Sequence, residues 1–120
     1  MQKVTMYGIK ACDTVKKARV WLDTKGIDYE FIDFKKAPPD EALLNKWIDA
    51  AGLETVVNKR GTTWRKLTTD QQQNIFSAGL LAPLMENPST IKRPVLETEN
   101  GIYFGFKPDL YEKALTTATE

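Results

Sequence analysis

At 120 residues the chain is long enough to bury the core of one domain, and 42% hydrophobic with 28% charged residues is typical of a globular protein. Its 17 basic and 16 acidic side chains leave a net charge of +1, too little for a whole-molecule field that would recruit nucleic acid. The chain contains no His and one Cys, which excludes a Ser-His-Asp triad, a Cys-His protease pair and a zinc site built on thiolates.

The first residues, MQKVTMYG, lack the long apolar segment of a secretion signal, and no apolar run approaches the length of a membrane span. One unpaired Cys also fits a reducing compartment. We therefore predict a cytoplasmic protein that binds neither nucleic acid nor membrane, with no metal site.

The first third of the chain predicts a β-α-β unit. The apolar residues 4–7 predict a strand, and a helix is predicted from about residue 13 to 25, stopped by Gly26. Residues 27–34, IDYEFIDF, are rich in β-branched and aromatic side chains and predict a second strand, parallel to the first. The apolar face of the intervening helix consists of Val15, Ala18, Trp21 and Leu22.

Residues 35–89 predict an all-helical insertion. A helix follows Asp40 and stops at Gly52, and its apolar stripe contains Leu43, Leu44, Trp47, Ile48 and Ala51. Val56 and Val57 lead into a turn at residues 58–61. After a weak stretch at residues 62–67, a helix is predicted from a cap around Thr69 to Gly79, and a shorter one at residues 80–86.

The last third predicts a hairpin and a helix. Residues 94–97 and 102–106 read as two strands joined at Asn100-Gly101, a pair that suits a type I′ turn. Pro108 begins a terminal helix with Leu110, Tyr111, Ala114 and Leu115 on one face. The order β-α-β, helical insertion, β-β-α predicts a single α/β domain over residues 1–120, with a core of residues 1–34 and 90–120 around a mixed sheet.

Cys12 is the candidate for chemistry because it lies where the first strand passes into a helix. A helix N-terminus lowers the pKa of a thiol and attracts anions, and Lys10, Lys16 and Lys17 reinforce this field. The alternative is a buried Cys that acts as a small hydrophobic residue, and the position alone leaves both open. Since positions 9 and 15 are Ile and Val, a disulfide partner for Cys12 has to come from another molecule.

Four segments carry a family resemblance: YGIKACDTVKKARVWL, NKRGTTWRKL, NPSTIKRPVLE and GFKPDLYEKAL. They resemble the arsenate reductase ArsC/Spx family and, within it, the YffB-like branch. The resemblance implies a thioredoxin-like fold with a helical insertion, in agreement with the predicted order of elements.

The same resemblance implies a set of site residues. In arsenate reductases of this family the loop has the form His-x-x-x-Cys-x-x-x-Arg, and here those places hold Gly8, Cys12 and Lys16. The arginine before the family's proline is Arg93, and the basic residue before the last helix is Lys107.

Two further positions follow from the resemblance. The family's middle arginine falls nearest Asn58 by counting, with Lys59 and Arg60 beside it, and Arg60 is the candidate. Pro94 takes the place of the cis proline that begins the strand facing the reactive Cys in thioredoxin-like proteins. A cis bond there would leave neighbouring backbone groups to pair with a peptide such as glutathione.

The chain departs from the family pattern at Gly8, Lys16 and Lys107, and these differences bear on the reaction. Arsenate suits planar, bidentate guanidinium groups, whereas lysine is a point charge, so Lys16 and Lys107 favour thiol exchange over oxyanion chemistry. We predict a glutathione-linked thiol reductase without a tightly bound cofactor, acting on a small anionic or disulfide substrate. Cys12 would form a mixed disulfide that glutathione or a glutaredoxin resolves. The alternatives are an Spx-like module that binds RNA polymerase and a glutathione- or glutaredoxin-dependent arsenate reductase.

Overall fold

A computed structural model of the protein describes residues 4–99 and 101–116, which divide into two compact units. The first contains the described residues up to Lys36 and from Arg93 onward, and the second contains residues 37–92. The elements in chain order are β1 (Thr5–Gly8), α1 (Asp13–Thr24), β2 (Glu30–Asp33), α2 (Glu41–Ala51), α3 (Leu53–Val56), α4 (Thr62–Lys66), α5 (Thr69–Ala78), α6 (Ala82–Glu86), a 3₁₀ turn (Pro88–Thr90), β3 (Val95–Thr98), β4 (Gly101–Phe104) and α7 (Pro108–Thr116).

The first unit is built on a mixed sheet with strand order β2-β1-β3-β4. β1 runs parallel to β2, with Tyr7 opposite Ile32, and antiparallel to β3, with Tyr7 opposite Val95. β3 and β4 are antiparallel neighbours. The predicted fold class is confirmed, since a β-α-β unit and a β-β-α unit share one sheet.

The core of this unit joins both helices to the strands. It contains Val4, Met6, Val15, Ala18, Leu22, Leu96, Tyr111, Ala114 and Leu115. Trp21 of α1 packs edge-on against Tyr111 of α7 with ring centroids 5.7 Å apart, and the Tyr111 hydroxyl donates to the Gly105 carbonyl at 2.9 Å. All residues predicted for the apolar faces of the two helices, except Leu110, belong to this core or pack against it, so α1 and α7 both pack on the sheet.

The second strand is shorter than predicted, and the first residue predicted for it, Ile27, takes part in capping the preceding helix. Gly26 has φ +69° and donates to Asp23, as expected for a helix stop, and Ile27 donates to the Leu22 carbonyl at 3.0 Å. The Ile27 N–H therefore helps to cap the C-terminus of α1, and β2 begins only at Glu30.

The second unit contains five short α-helices among its residues 37–92. Asp40 caps α2 by accepting from the Leu43 N–H at 2.8 Å, and Gly52 with φ +89° ends it, as predicted. The weak stretch after residue 61 forms α4. One pair departs from the all-helical expectation, since Val57 forms an isolated antiparallel bridge with Ile91.

The cap of α5 lies one residue earlier than predicted. Thr68, and not Thr69, accepts from the Gln71 N–H at 3.1 Å, and the Gln71 side chain accepts from the Thr68 N–H at 2.9 Å. This reciprocal capping box pairs Thr68 with the Gln three residues later. Because Gln also stands three residues after Thr69, at position 72, the hydrogen bonds and not the spacing distinguish the two threonines.

We expect Thr68→Ala to lower the free energy of unfolding by about 1 kcal/mol, because the first turn of α5 loses its side-chain acceptor. Thr69→Ala is the matched control, since Thr69 lies inside the helix and is exposed. Urea unfolding of both variants measures the difference. Equal destabilisation of the two would contradict this assignment of the cap.

The hairpin is closed by the pair of Thr98 and Gly101, where Gly101 has φ +151°. The predicted type I′ turn at Asn100-Gly101 involves Asn100, which lies outside the described residues. The Pro94 carbonyl accepts from the Gly105 N–H at 2.9 Å, so pairing continues toward the start of β3. None of the helices described is long and apolar enough to cross a membrane.

Candidate active site around Cys12

Cys12 lies in the tight connection between β1 and α1. Its N–H donates to the Ile9 carbonyl at 3.0 Å, and its own carbonyl accepts from the Lys16 N–H at 3.0 Å. Cys12 is the N-cap residue of α1, has an extended backbone and is partly buried. The strand, loop and helix predicted from the sequence therefore place the thiol at the helix N-terminus.

Arg93 comes from a distant part of the chain and lies beside Cys12. It directly precedes β3, which pairs with β1 through Val95 and Tyr7, so the start of β3 meets the end of β1. The Arg93–Pro94 peptide bond is cis, as the resemblance implied, and Pro94 is buried. The Arg93 guanidinium donates a hydrogen bond to the Cys12 sulfur.

The environment of Cys12 favours its ionised form. Burial alone acts to raise the pKa of the thiol, but the N–H of Val15, the hydrogen bond and charge of Arg93, and the N–H of Thr14 outweigh it. The resulting pKa lies below the ordinary value for a cysteine. The site can therefore hold a thiolate, which is the nucleophilic form of the side chain.

The predicted lysines occupy exposed positions in this unit. Lys16 is on α1, one turn after Cys12, and Lys107 directly precedes α7, where its carbonyl accepts from the Tyr111 N–H at 3.0 Å. Among the described residues, neither ammonium group is one of those that lower the pKa of Cys12. Their roles in binding an anion stay predictions.

Arg60 belongs to the second unit and is exposed. Its N–H donates to the Asn58 side-chain oxygen at 3.2 Å, which stabilises the predicted turn. The neighbouring Lys59 forms an ion pair with Glu54 at 2.9 Å and lies 4.4 Å from the ring centroid of Phe76. A role for Arg60 at the thiol stays a prediction from the resemblance.

Sequence reasoning did not single out the main-chain donors of Thr14 and Val15. The signal that points to them is the predicted start of a helix at residue 13, because the first N–H groups of a helix have no partner within it. Across residues 4–99 and 101–116, no group of three or more Cys, Asp and Glu side chains is placed to hold a metal ion.

Comparison with known proteins identifies relatives over nearly the whole chain. The model of the ArsC family matches residues 7–114, a range that contains every predicted site residue. A solved structure named YFFB protein is 45% identical, covers 94% of this chain and 99% of its own, and superposes with a TM-score of 0.88.

Two further relatives match most of the chain by sequence. An uncharacterized protein of Haemophilus influenzae is 37% identical over 111 residues, which are 92% of this chain and 97% of that protein. The global transcriptional regulator Spx of Streptococcus pyogenes is 27% identical over 108 residues, which are 88% of this chain and 80% of the regulator.

Proposed function

Since the chain belongs to the ArsC family, we propose that it is a glutathione-linked thiol reductase whose nucleophile is Cys12. The observation that carries the proposal is the pairing of the Cys12 sulfur with the Arg93 guanidinium at the N-terminus of α1. A cation and helix N–H groups stabilise a thiolate, and the thiolate is the form that attacks disulfides.

The proposed reaction is a pair of thiol-disulfide exchanges. The Cys12 thiolate attacks one sulfur of a substrate disulfide, forming a mixed disulfide and releasing the other half as a thiolate. A glutathione thiolate then attacks the substrate sulfur of the mixed disulfide, which regenerates Cys12 and leaves the substrate joined to glutathione. A second glutathione completes the reduction, yielding the substrate thiol and glutathione disulfide. An external thiol is needed because Cys12 is the only Cys of the chain.

Exposed cations of the same unit suit an anionic partner. Lys16 and Lys107 are both exposed, and glutathione carries carboxylates that an ammonium group binds as a point charge. We propose that these lysines bind glutathione, or an acidic surface of a glutaredoxin, while the Arg93 guanidinium keeps its hydrogen bond to the Cys12 sulfur. A cytoplasmic location would supply glutathione. That location stays a prediction.

Arsenate reduction is the less favoured reaction of the family for this chain. The family's His and two of its Arg places hold Gly8, Lys16 and Lys107, and Arg93 is the guanidinium that contacts the sulfur. A lysine does not reproduce the bidentate geometry with which arginine binds a tetrahedral oxyanion. This composition supports exchange with an organic disulfide.

Mass spectrometry of Cys12 after incubation with oxidised glutathione tests the proposal. We expect a glutathione adduct to form readily at neutral pH and to need no arsenate. A parallel incubation of reduced protein with reduced glutathione and arsenate separates the two reactions. An adduct that appears only in the presence of arsenate would contradict thiol exchange and support arsenate reduction.

A second candidate function is a regulatory module that binds RNA polymerase, supported by the likeness to Spx. In Spx-like proteins of the family, a Cys-x-x-Cys pair acts as a redox switch, and Val15 stands here at the second position. Binding would therefore be independent of redox state. Stoichiometric retention of purified polymerase on the immobilised chain, unchanged by Cys12→Ser, would favour this function over the reductase.

A further inference from the structure

Gly8, the last residue of β1, lies unusually close to α1. A Cβ atom at Gly8 would lie 2.8 Å from Cγ2 and 3.2 Å from Cγ1 of Val15. Val15 is fully buried in the core of the first unit. β1 and α1 can therefore pack this closely only because glycine has no side chain at position 8.

Space, and not backbone conformation, explains the glycine. Gly8 is not among the glycines with positive φ, which are Gly26, Gly52, Gly79, Gly101 and Gly105. An alanine could adopt its backbone conformation, but its methyl group would overlap the γ-methyl groups of Val15. Since β-branched side chains have few alternative rotamers, Val15 cannot turn aside freely.

The strand side of the contact is fixed, so a larger residue would displace the helix. Gly8 lies opposite Asp33 in the parallel register, and its carbonyl accepts from the Phe34 N–H at 2.8 Å. Only residues 9–12 separate β1 from α1, and the turn from Ile9 to Cys12 is closed by a hydrogen bond. Displacement would therefore fall on the first turn of α1.

We propose that Gly8 is a positioning residue for Cys12, because the absence of its side chain lets Val15 pack on β1 and so holds the first turn of α1 at the sulfur. This inference rests on the proposed function and adds a residue that touches neither the sulfur nor a substrate. The N–H groups of Thr14 and Val15 belong to that first turn. Arg93 is tied to β1 through β3, so a helix displaced from β1 also moves the sulfur away from the guanidinium.

The test is the ultraviolet titration of the Cys12 thiolate in four variants and the wild type. The variants are Gly8→Ala, Val15→Ala, Gly8→Ala/Val15→Ala and Gly61→Ala. Gly61 is the matched control because its φ of −78° is also ordinary and its Cβ would meet the flexible side chain of Asn58 in the other unit. We expect Gly8→Ala to raise the thiol pKa by roughly half a unit to one unit.

Without the γ-methyl groups of Val15 the clash is absent, so Gly8→Ala should not raise the thiol pKa in a Val15→Ala background. The double variant is expected to titrate within about 0.2 units of Val15→Ala, which is its reference, and Gly61→Ala within about 0.2 units of the wild type. If Gly8→Ala does not fold, a double variant that folds with the thiol pKa of Val15→Ala supports the inference. A double variant that is unfolded, or whose thiol pKa is raised above that of Val15→Ala, overturns it.

The outcomes also separate this inference from the proposed function. A wild-type thiol that titrates at the ordinary cysteine value contradicts the reductase proposal and the inference that rests on it. A lowered wild-type pKa that Gly8→Ala leaves unchanged overturns only the role of Gly8.

Discussion

Cys12→Ser is expected to abolish thiol exchange, reducing the rate of disulfide reduction with glutathione to the uncatalysed background. A serine hydroxyl cannot form a disulfide, and its ionisation lies far above neutral pH. The rate is measured with a small mixed disulfide of glutathione as substrate, and the adduct by mass spectrometry.

The variant separates chemistry from folding. Cys12 is the N-cap residue of α1, and serine is a preferred residue at that position, so we expect the helix and the stability of the domain to be retained. Circular dichroism and urea unfolding check this. Exchange activity that survives in a folded Cys12→Ser protein would remove Cys12 from the mechanism.

Arg93→Met is expected to raise the pKa of Cys12 by about one unit, because the thiolate loses a charge-assisted hydrogen bond. At pH 7 a smaller fraction of the thiol is then ionised, and the higher basicity of the remaining thiolate compensates only in part. Because the compensation returns about threefold of an at most tenfold loss of thiolate, the second-order rate with a disulfide should fall by up to about three- to fourfold. Stopped-flow measurement at fixed pH gives this rate.

Two further variants show whether the guanidinium itself is needed. Arg65→Met removes the same charge from an exposed position in the second unit and should leave the rate unchanged. Arg93→Lys keeps the charge without the planar fork and should fall between the wild type and Arg93→Met. Equal rates for Arg93→Met and the wild type would show that Arg93 does not activate the thiol.

The local elements of the fold were predictable because their signals lie close together in the chain. The apolar run before Gly8 and the periodic face of Val15, Ala18 and Leu22 are sufficient to place Cys12 between a strand and a helix. The predicted element boundaries were wrong at Ile27 and Thr68. Hydrogen bonds at helix ends define these boundaries, and each such bond depends on one or two residues.

The contacts that form the site were not predictable from such patterns. Arg93 contacts Cys12 only because β3 pairs with β1, and strand order is not encoded in the periodicity of either segment. Arg93 and the cis bond before Pro94 were reached through the family resemblance. The close packing of Gly8 on Val15 likewise depends on how α1 lies against the sheet, which periodicity alone does not define.

The pH titration of Cys12 tests most directly whether Arg93 holds this thiol in an activated form. The rate of alkylation of Cys12 by iodoacetamide follows the thiolate fraction, so it rises with pH and levels off above the pKa of the folded protein. We expect a midpoint for the wild type below the ordinary cysteine value, and a higher midpoint for Arg93→Met. A wild-type midpoint at or above the ordinary value, unchanged by Arg93→Met, would contradict this activation.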